Sequence, residues 1–561
     1  LSMAHLSKIF EEQPIRVQNV NGFDLSHMAS GTTFCGTLTP CLCKLLMQHS
    51  RFSLGCNLEV QLPPLATTAF GRIDAKIEVF FVRCSILYGG WRQFISNNPP
   101  TSFTASQLVS GEQKFELPRF GLNVNTVQVI GSLEAQRYSL LPYLRFRFTA
   151  VAMSGQFFSM LPLLCYHKIW DCYYRNPNVT RTIFAVNPNT DNQGWSHNVS
   201  YIHHSYYTYL AQSGSSQSSP EFTAVADLTF PDGKSIFSLR QRNYPRDYFT
   251  AGQVDPQMGS ESGVSFQVDS SGNGSISIPA LRLANSLQRF TEVAGYDMSY
   301  RGIMLAQMGS VPDDADFDEP QYLGRLVVPV YQRGVYLQSA AFSGDSDNPN
   351  PFINGNVSPN GNGAPIGAKA GDGHFSGEGS IIHDFKVGSF GFLFANFSLV
   401  PHAQYSYGID RMWKQLSIDK FPFPNLQNVG MDGVKEWEIY PTSINIQSDA
   451  DFCYLPRYSS EKYIDDWVAG ELIPGKSLDM FILQRKFSST PQFSTAFLEI
   501  GIGDLDNILA VSAADAGFSC WYQVFWVFKY VAPLAEFCIP TLGDMTEDTH
   551  EIRIPVGGSR L

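Results

Sequence analysis

Charge is scarce in this chain. Only 16% of its residues are Asp, Glu, Lys or Arg, and the acids outnumber the bases enough to leave a formal net charge of −12. A protein that coats nucleic acid by itself carries a basic face, so this balance excludes a free-standing DNA-coating protein while allowing a local basic patch. Long apolar runs are missing too: no stretch reaches the roughly 18 uninterrupted apolar residues of a membrane helix, and no membrane insertion is expected. The longest candidates, FGFLFANFSLV at 390–400 and CWYQVFWVF at 520–528, are aromatic and read as strands. The N-terminal LSMAHLSKIFEEQPIRV has no signal-peptide apolar core, and the start at Leu1 suggests trimming or partial numbering.

Cysteine is sparse for the length, at ten in 561 residues. Several of the ten fall on apolar strand faces, which predicts free buried thiols of a reducing compartment. Cys35, Cys41 and Cys43 are close together but lack a second pair, so no zinc site is expected.

Catalytic motifs are absent as well: there is no GxSxG, no phosphate-binding P-loop and no HExxH. His203-His204 sits in a Ser/Tyr-rich segment and reads as solvated. The acidic run Asp313, Asp314, Asp316, Asp318 and Glu319 lacks the glycine and spacing of an EF-hand, which leaves a solvated loop as the plainer reading over calcium binding. Asp465-Asp466, or Asp504 with Asp506, are the pairs available for acid–base work on a glycoside. No metal, cofactor or catalytic residue is assigned from these patterns.

What the chain does have is alternation. In 51–62, Phe52, Leu54, Cys56, Leu58, Val60 and Leu62 alternate with small or polar residues; in 73–81, Ile73, Ala75, Ile77, Val79 and Phe81 do the same. Period two means strands with one face on a core. Helical spacing is confined to 160–178, with Leu163, Tyr166, Ile169, Trp170 and Tyr173 stopped by Pro177, and to 277–295, which opens with Ser277 and Pro279 and closes at Gly295. Residues 340–380, rich in Gly, Asn and Pro, read as an extended loop, and 186–240 as a surface insertion. A mainly β chain with 13% aromatics and long insertions predicts one β-sandwich domain over 1–561. Its long loops are then functional, and contact with other subunits is one common reason.

Aromatic and Arg side chains cluster in RMWK at 411–414, WEIY at 437–440 and YLPRYSSEKYIDDW at 454–467. Such residues anchor protein interfaces, although they also fill ordinary cores. Trp170, Tyr173, Trp437, Tyr440, Tyr454, Tyr458 and Trp467 are therefore the candidates for subunit contact.

Several of these stretches, in order, resemble the major capsid protein of microviruses, especially the gokushovirus-like branch. They are the strand IEVFFV leading into LYGGWRQFI, the helix LPLLCYHKIWDCYYRNPN, the turn RDYFTAGQVDPQMG, and Leu281, Arg282, Ala284, Gln288 and Glu292 in the 277–292 segment. EPQYLG, GFLFANFSLVPHAQYSYGIDRMW, EIYP and FCYLPRYSSEKY complete the order. The chain departs from that pattern between PQMG and SIPALR, where only a short link replaces a long insertion that forms a threefold protrusion. It departs again at Ser389-Phe390, where relatives carry polar or acidic residues.

The resemblance implies a viral jelly roll: eight antiparallel strands in two sheets, with loop and helical insertions, the strands of 51–84 supplying adjacent segments. It implies a structural protein of the virion, assembled in the cytoplasm of an infected bacterium. That protein would self-assemble, through pentameric units, into an icosahedral T=1 shell around circular single-stranded DNA. Partners would be other copies of the chain, the packaged DNA, a small basic DNA-binding virion protein, a minor or pilot capsid protein and a host-cell receptor. Arg411 and Lys414, with Trp413 between them as a stacking surface, and Arg457 are the candidate DNA contacts; charge-assisted anchoring of a subunit interface is the alternative for the same residues. The rival class is a carbohydrate-binding or carbohydrate-active β-sandwich, whose aromatic loops would be sugar platforms.

Overall fold

The alternating stretches become long strands. A computed structural model describes residues 15–16, 20–65, 70–88, 91–96, 119–121, 139–146, 157–177, 179–180, 182–183, 234, 236–255, 267–268, 274–275, 304–305, 307–310, 319–336, 369–416, 418, 421–424, 431–534 and 551–552. The main body contains β1 (Asn21–Asp24), β2 (His27–Thr33), β3 (Thr39–Leu46), β4 (Arg51–Gln61), β5 (Ile73–Arg83), β6 (Gln321–Tyr336), β7 (Lys369–Lys386), β8 (Gly391–Pro401), β9 (Met431–Lys435), β10 (Asp451–Pro456) and β11 (Cys520–Ala532). Among the described residues one longer helix, α1 (Leu161–Tyr173), accompanies them.

The pairing of these strands is antiparallel and nested. β11 pairs with β1 and β2 end to end along one edge and with β4 along the other. β4 pairs next with β7. In a second layer β6, β5, β8 and β3 follow one another. The layers are continuous because β6 changes partner along its length: Gln321–Val330 pair with β5, and Tyr331–Tyr336 pair with Lys369–His374 of β7. Thus β4 and β5, neighbours in sequence, are not hydrogen-bonded to each other. They lie in opposite layers and meet through their apolar faces.

The core is filled by the residues the alternation marked. Phe52, Leu54, Cys56, Leu58 and Val60 of one layer face Ile73, Ala75, Ile77, Val79 and Phe81 of the other. Fully burying a side chain such as Leu or Phe is worth about 1.5–3 kcal/mol. The Phe397 and Tyr522 rings stack across the layers at 4.4 Å. Trp526, fully buried, donates from Nε1 to the Cys41 carbonyl of the opposite layer at 3.2 Å, which satisfies the one polar atom of its side chain.

Two sequence expectations change. The polar face of β5 does not meet water. Insertions cover it, so Asp74, Glu78, Phe80 and Val82 are all buried, and Lys76 keeps only 13% of its side chain exposed. The last part of the expected 340–380 loop is strand: Lys369–Ser380 belongs to β7. Glycine there reflects close approach, not a turn, since a Cβ on Gly379 would stand 3.0 Å from Leu326 Cδ1. The helix expected at 160–178 is present as α1 but is buried nearly all round. Leu163, Leu164, Cys165, Tyr166, His167, Ile169 and Trp170 are buried, and the apolar ones pack with Phe80, Val82, Phe392 and Phe394 on the outer face of the second layer. The second expected helix, 277–295, His203-His204, Asp313–Asp318 and most of the 186–240 insertion lie outside the described residues.

The insertion between β8 and β11, together with the 236–255 segment, builds a third core around Phe249, Tyr405, Val434, Ile439, Phe452 and Phe497. The β9–β10 hairpin runs through it and positions the site below.

Candidate nucleic-acid interface

Asp410 starts a tight turn. Its Oδ1 accepts from the Met412 backbone N–H at 2.8 Å, and its carbonyl accepts from Trp413 at 3.1 Å, winding Arg411–Lys414 into a single 3₁₀ turn. In that geometry residues three apart eclipse. Arg411 and Lys414 consequently share a side, and both line a cleft of about 300 Å³. Trp413 is not in the cleft wall and is 71% exposed. The ring expected between the two cations therefore stands outside the cleft they form.

The cleft collects residues that sequence distance had kept apart. Arg457 and Tyr458 follow the end of β10, Lys435 ends β9, and Trp437 lies on the one-turn helix Glu436–Ile439. Lys414 Nζ sits 4.3 Å over the Trp437 ring. It also bonds the Ile446 carbonyl at 2.9 Å and Asp449 Oδ1 at 3.2 Å. Trp437 Nε1 donates to the same Asp449 oxygen at 2.8 Å. Burial pushes the Asp449 carboxyl up, but the bonds from Trp437 and Lys414 outweigh it and hold the group below its ordinary value. Lys435 is bound to Asp451 Oδ1 at 2.6 Å and to the Asp449 carbonyl at 3.0 Å.

Arg411 faces a deeper acid. Burial works against its charge, yet Glu438, Tyr248 and Asp432 keep its pKa above the ordinary arginine value. Glu438 is pushed up, first by burial, with Arg411 opposing; it accepts from Tyr248 Oη at 2.8 Å. Arg457 lies 5.3 Å over the Tyr458 ring. The cleft thus holds four cations, two of them already over the Trp437 and Tyr458 rings, with Asp432 and Asp449 interleaved in its wall. A phosphate entering it competes with carboxylates already in place, so the cleft is a weaker anion site than its cations alone imply.

The seven aromatic candidates separate by burial. Trp170 is buried, its Nε1 given to the Gln241 carbonyl at 2.9 Å and its ring covered by Arg240 at 4.6 Å. Trp437 forms part of the cleft wall and is 2% exposed. Both rings are therefore packed within their own chain, Trp437 against Lys414 and Asp449 of its own insertion. Tyr440 packs on Tyr407, Tyr454 Oη donates to Asp451 Oδ2 at 3.2 Å, and Tyr458 lines the cleft, all partly buried. Tyr173 is partly open with its ring on Phe80, while Trp467 stands well clear of the surface.

Sequence reading missed Lys435 and Asp449, whose roles depend on the hairpin that brings them beside Trp437. It also missed the exposed apolar side chains at 416, 418 and 464. For the first two the signal was an apolar, proline-interrupted run with no period, LSIDKFPFPNL.

The carboxylate pairs shape loops. Asp504 accepts from Tyr244 Oη and from the Gly501 N–H, Asp506 from the Ala513 N–H at 2.7 Å, and Asp465 from the Tyr248 N–H at 3.2 Å. Among the described residues nine cysteines are free, and burial pushes the thiols of Cys43, Cys56 and Cys84 up to about 12, so these three are poor nucleophiles at neutral pH. Among the described residues, too, no group of three or more His, Cys, Asp and Glu could hold a metal ion, and no helix is long and apolar enough to cross a membrane.

A family model described as capsid protein (F protein) matches residues 15–534. No curated protein matches the chain.

Proposed function

This chain belongs to the phage capsid F protein family, and we propose that its nested strands are the eight-stranded jelly roll of an icosahedral T=1 shell around circular single-stranded DNA. Membership makes it a microvirus major capsid protein, a structural component of the virion and not an enzyme, and implies a homo-oligomeric shell. The carbohydrate reading has no ground left.

The nested order of pairing carries the jelly-roll reading. With β1 and β2 counted as one broken edge strand and the β9–β10 hairpin set aside as part of an insertion, first pairs with last (β2 with β11), second with second-last (β3 with β8), then β4 with β7 and β5 with β6. A long antiparallel ribbon folded over on itself produces that order and two four-stranded layers. Residues 1–561 then form one domain whose insertions supply the shell's contacts, assembled through pentameric units in the host cytoplasm. The 186–240 insertion is proposed as surface decoration that takes part in attachment to a host-cell receptor.

DNA contacts are proposed at Arg411, Lys414 and Arg457, supported by their convergence on one cleft with Tyr458 and Trp437, and with Trp413 as a stacking surface beside it. A chain with 39 basic against 51 acidic residues cannot neutralise a genome alone. A small basic virion protein packaged with the DNA is the partner this deficit calls for, and a minor or pilot protein completes the proposed virion.

Negative-stain microscopy of the expressed chain tests the assembly reading: particles or pentamers are expected, and a stable monomer at every concentration overturns it. Arg411→Ala with Lys414→Ala tests the DNA reading. Purified particles should retain less DNA with a flatter salt dependence, while empty shells still form. Failure to assemble would assign the pair to a subunit contact and end the DNA proposal.

A further inference from the structure

The insertion that carries the cleft also carries an apolar surface that none of the described residues covers. Leu416 is 88% exposed, Ile418 77%, Ile464 91% and Trp467 74%. These side chains come from two segments that the structure ties together. Gln415 Nε2 reaches Glu461 Oε1 at 3.4 Å, and the Phe423 N–H donates to Tyr458 Oη at 3.2 Å. Backbone bonds from Tyr405 N to the Asp466 carbonyl and from Val468 N to the Tyr405 carbonyl, each 2.9 Å, hold Trp467 in place. The surface is therefore built on a fixed backbone.

We propose that this surface, centred on Leu416 and Ile464, is where a second copy of the chain docks in the shell. The proposal rests on the shell reading and says which face of the subunit serves it. Soluble monomers rarely expose contiguous apolar patches beyond a few hundred Å². With Met412, Phe421, Phe423 and Tyr463 the two segments leave on the order of 1,000 Å² of large apolar side chains open, comparable to the roughly 800 Å² per partner of a standard interface. Trp, Tyr, Phe and Met are the residue types enriched in interface centres.

The surroundings argue against other occupants. Asp410, Glu461, Asp466 and Glu471 are exposed on the same segments against Lys462 and Lys476, a balance that disfavours anionic lipid, while the cations proposed to meet DNA phosphates line the cleft and not this surface. The apolar residues lie on or just after two single 3₁₀ turns, Arg411–Lys414 and Ser459–Glu461. They cannot present the continuous amphipathic helix that lies on a membrane. A protein face remains, and in a homo-oligomeric shell every subunit is surrounded by its own copies.

The test uses the full chain and two variants. Leu416→Ser with Ile464→Ser should leave the subunit's circular dichroism and melting temperature unchanged, because neither side chain is buried, and should cut particle yield at least tenfold. Ile464→Cys, labelled with a benzophenone maleimide and illuminated in intact particles, should give chain–chain dimers. Normal particle yield from the double variant overturns the proposal. So does benzophenone capture of a different virion protein, or a maleimide that modifies the introduced thiol as fast in particles as in free subunits. Particles that form normally but no longer adsorb to cells would make this a receptor-facing surface and likewise overturn it. Absence of particles from the unaltered chain would instead be a failure of the shell reading.

Discussion

Arg242 reaches across from the 236–255 segment to Glu78 on the outward face of β5, Nη1 to Oε2 at 2.6 Å. Tyr174, just past α1, donates to the same Glu78 oxygen at 2.6 Å, and Arg242 also bonds Ser398 of β8. One buried carboxylate thereby fastens two insertions to the second layer of the sandwich.

Removing one partner of such a pair leaves the other buried and uncompensated, at a cost of about 3–5 kcal/mol. Arg242→Ala should lower the unfolding free energy of the isolated subunit, measured in urea, by that much. A loss under about 1 kcal/mol would mean that Glu78 finds water or another donor and that the fastening is unimportant.

Faces of the two alternating strands should respond unequally. Val60→Asp and Ile77→Asp each bury an unpaired carboxylate and should cost several kcal/mol and solubility. Glu59→Gln, on an exposed position, should stay within about 0.5 kcal/mol. Lys76→Gln should not be silent, because Lys76 lies 3.8 Å from buried Asp74 under the insertion layer. Thermal melts that rank Lys76→Gln with Glu59→Gln would show that the layer does not cover β5.

Asp465 gives a pH dependence of known sign. Its carboxyl is pushed up to about 7, first by burial and next by the charge of Asp247, with Glu438 and Asp466 adding to it. An unfolded Asp titrates near about 3.9. Between about pH 4 and 7 the folded chain keeps a proton that the unfolded chain has released, so stability falls as pH rises through this window and levels off above it. The subunit should melt at higher temperature at about pH 5 than at about pH 8. Asp465→Asn, which still accepts from Tyr248, should flatten that slope; an unchanged slope would place its origin elsewhere.

Gly408 lies at φ 111°, and a Cβ there would overlap the Glu438 carbonyl. Gly408→Ala should therefore cost more than about 1 kcal/mol through backbone conformation alone, and more once the clash is added. It should also disturb the cleft, since Glu438 sits beside Arg411. Proteolysis of the 405–470 region is the readout: cleavage should quicken there before the sandwich melts, and an unaltered pattern would show that the backbone accommodates the methyl.

Much of the architecture was already local in the sequence. Strict alternation at 52–62 and 73–81 determined two strands and their core faces, because side chains in a strand point to opposite sides whatever lies beyond. The aromatic runs at 390–400 and 520–528 became β8 and β11, and the 160–178 spacing became α1 for the same local reason. What the second face of each strand meets is not a local property. Lys76 and Glu78 look like solvent positions until insertions cover them, and the groups that reach Glu78, on Tyr174 and Arg242, come from 96 and 164 positions away. The glycine-rich 369–380 part of β7 reads as loop because its neighbours β4 and β6, which supply its hydrogen bonds, are distant in the chain. In RMWK the residue types were visible, but only the turn set by Asp410 and the hairpin behind it decided that Arg411 and Lys414 enter a cleft while Trp413 stays outside. Exposure of Leu416 and Ile464 could be decided by nothing else, since an apolar side chain carries no mark of whether its cover comes from its own chain or from another.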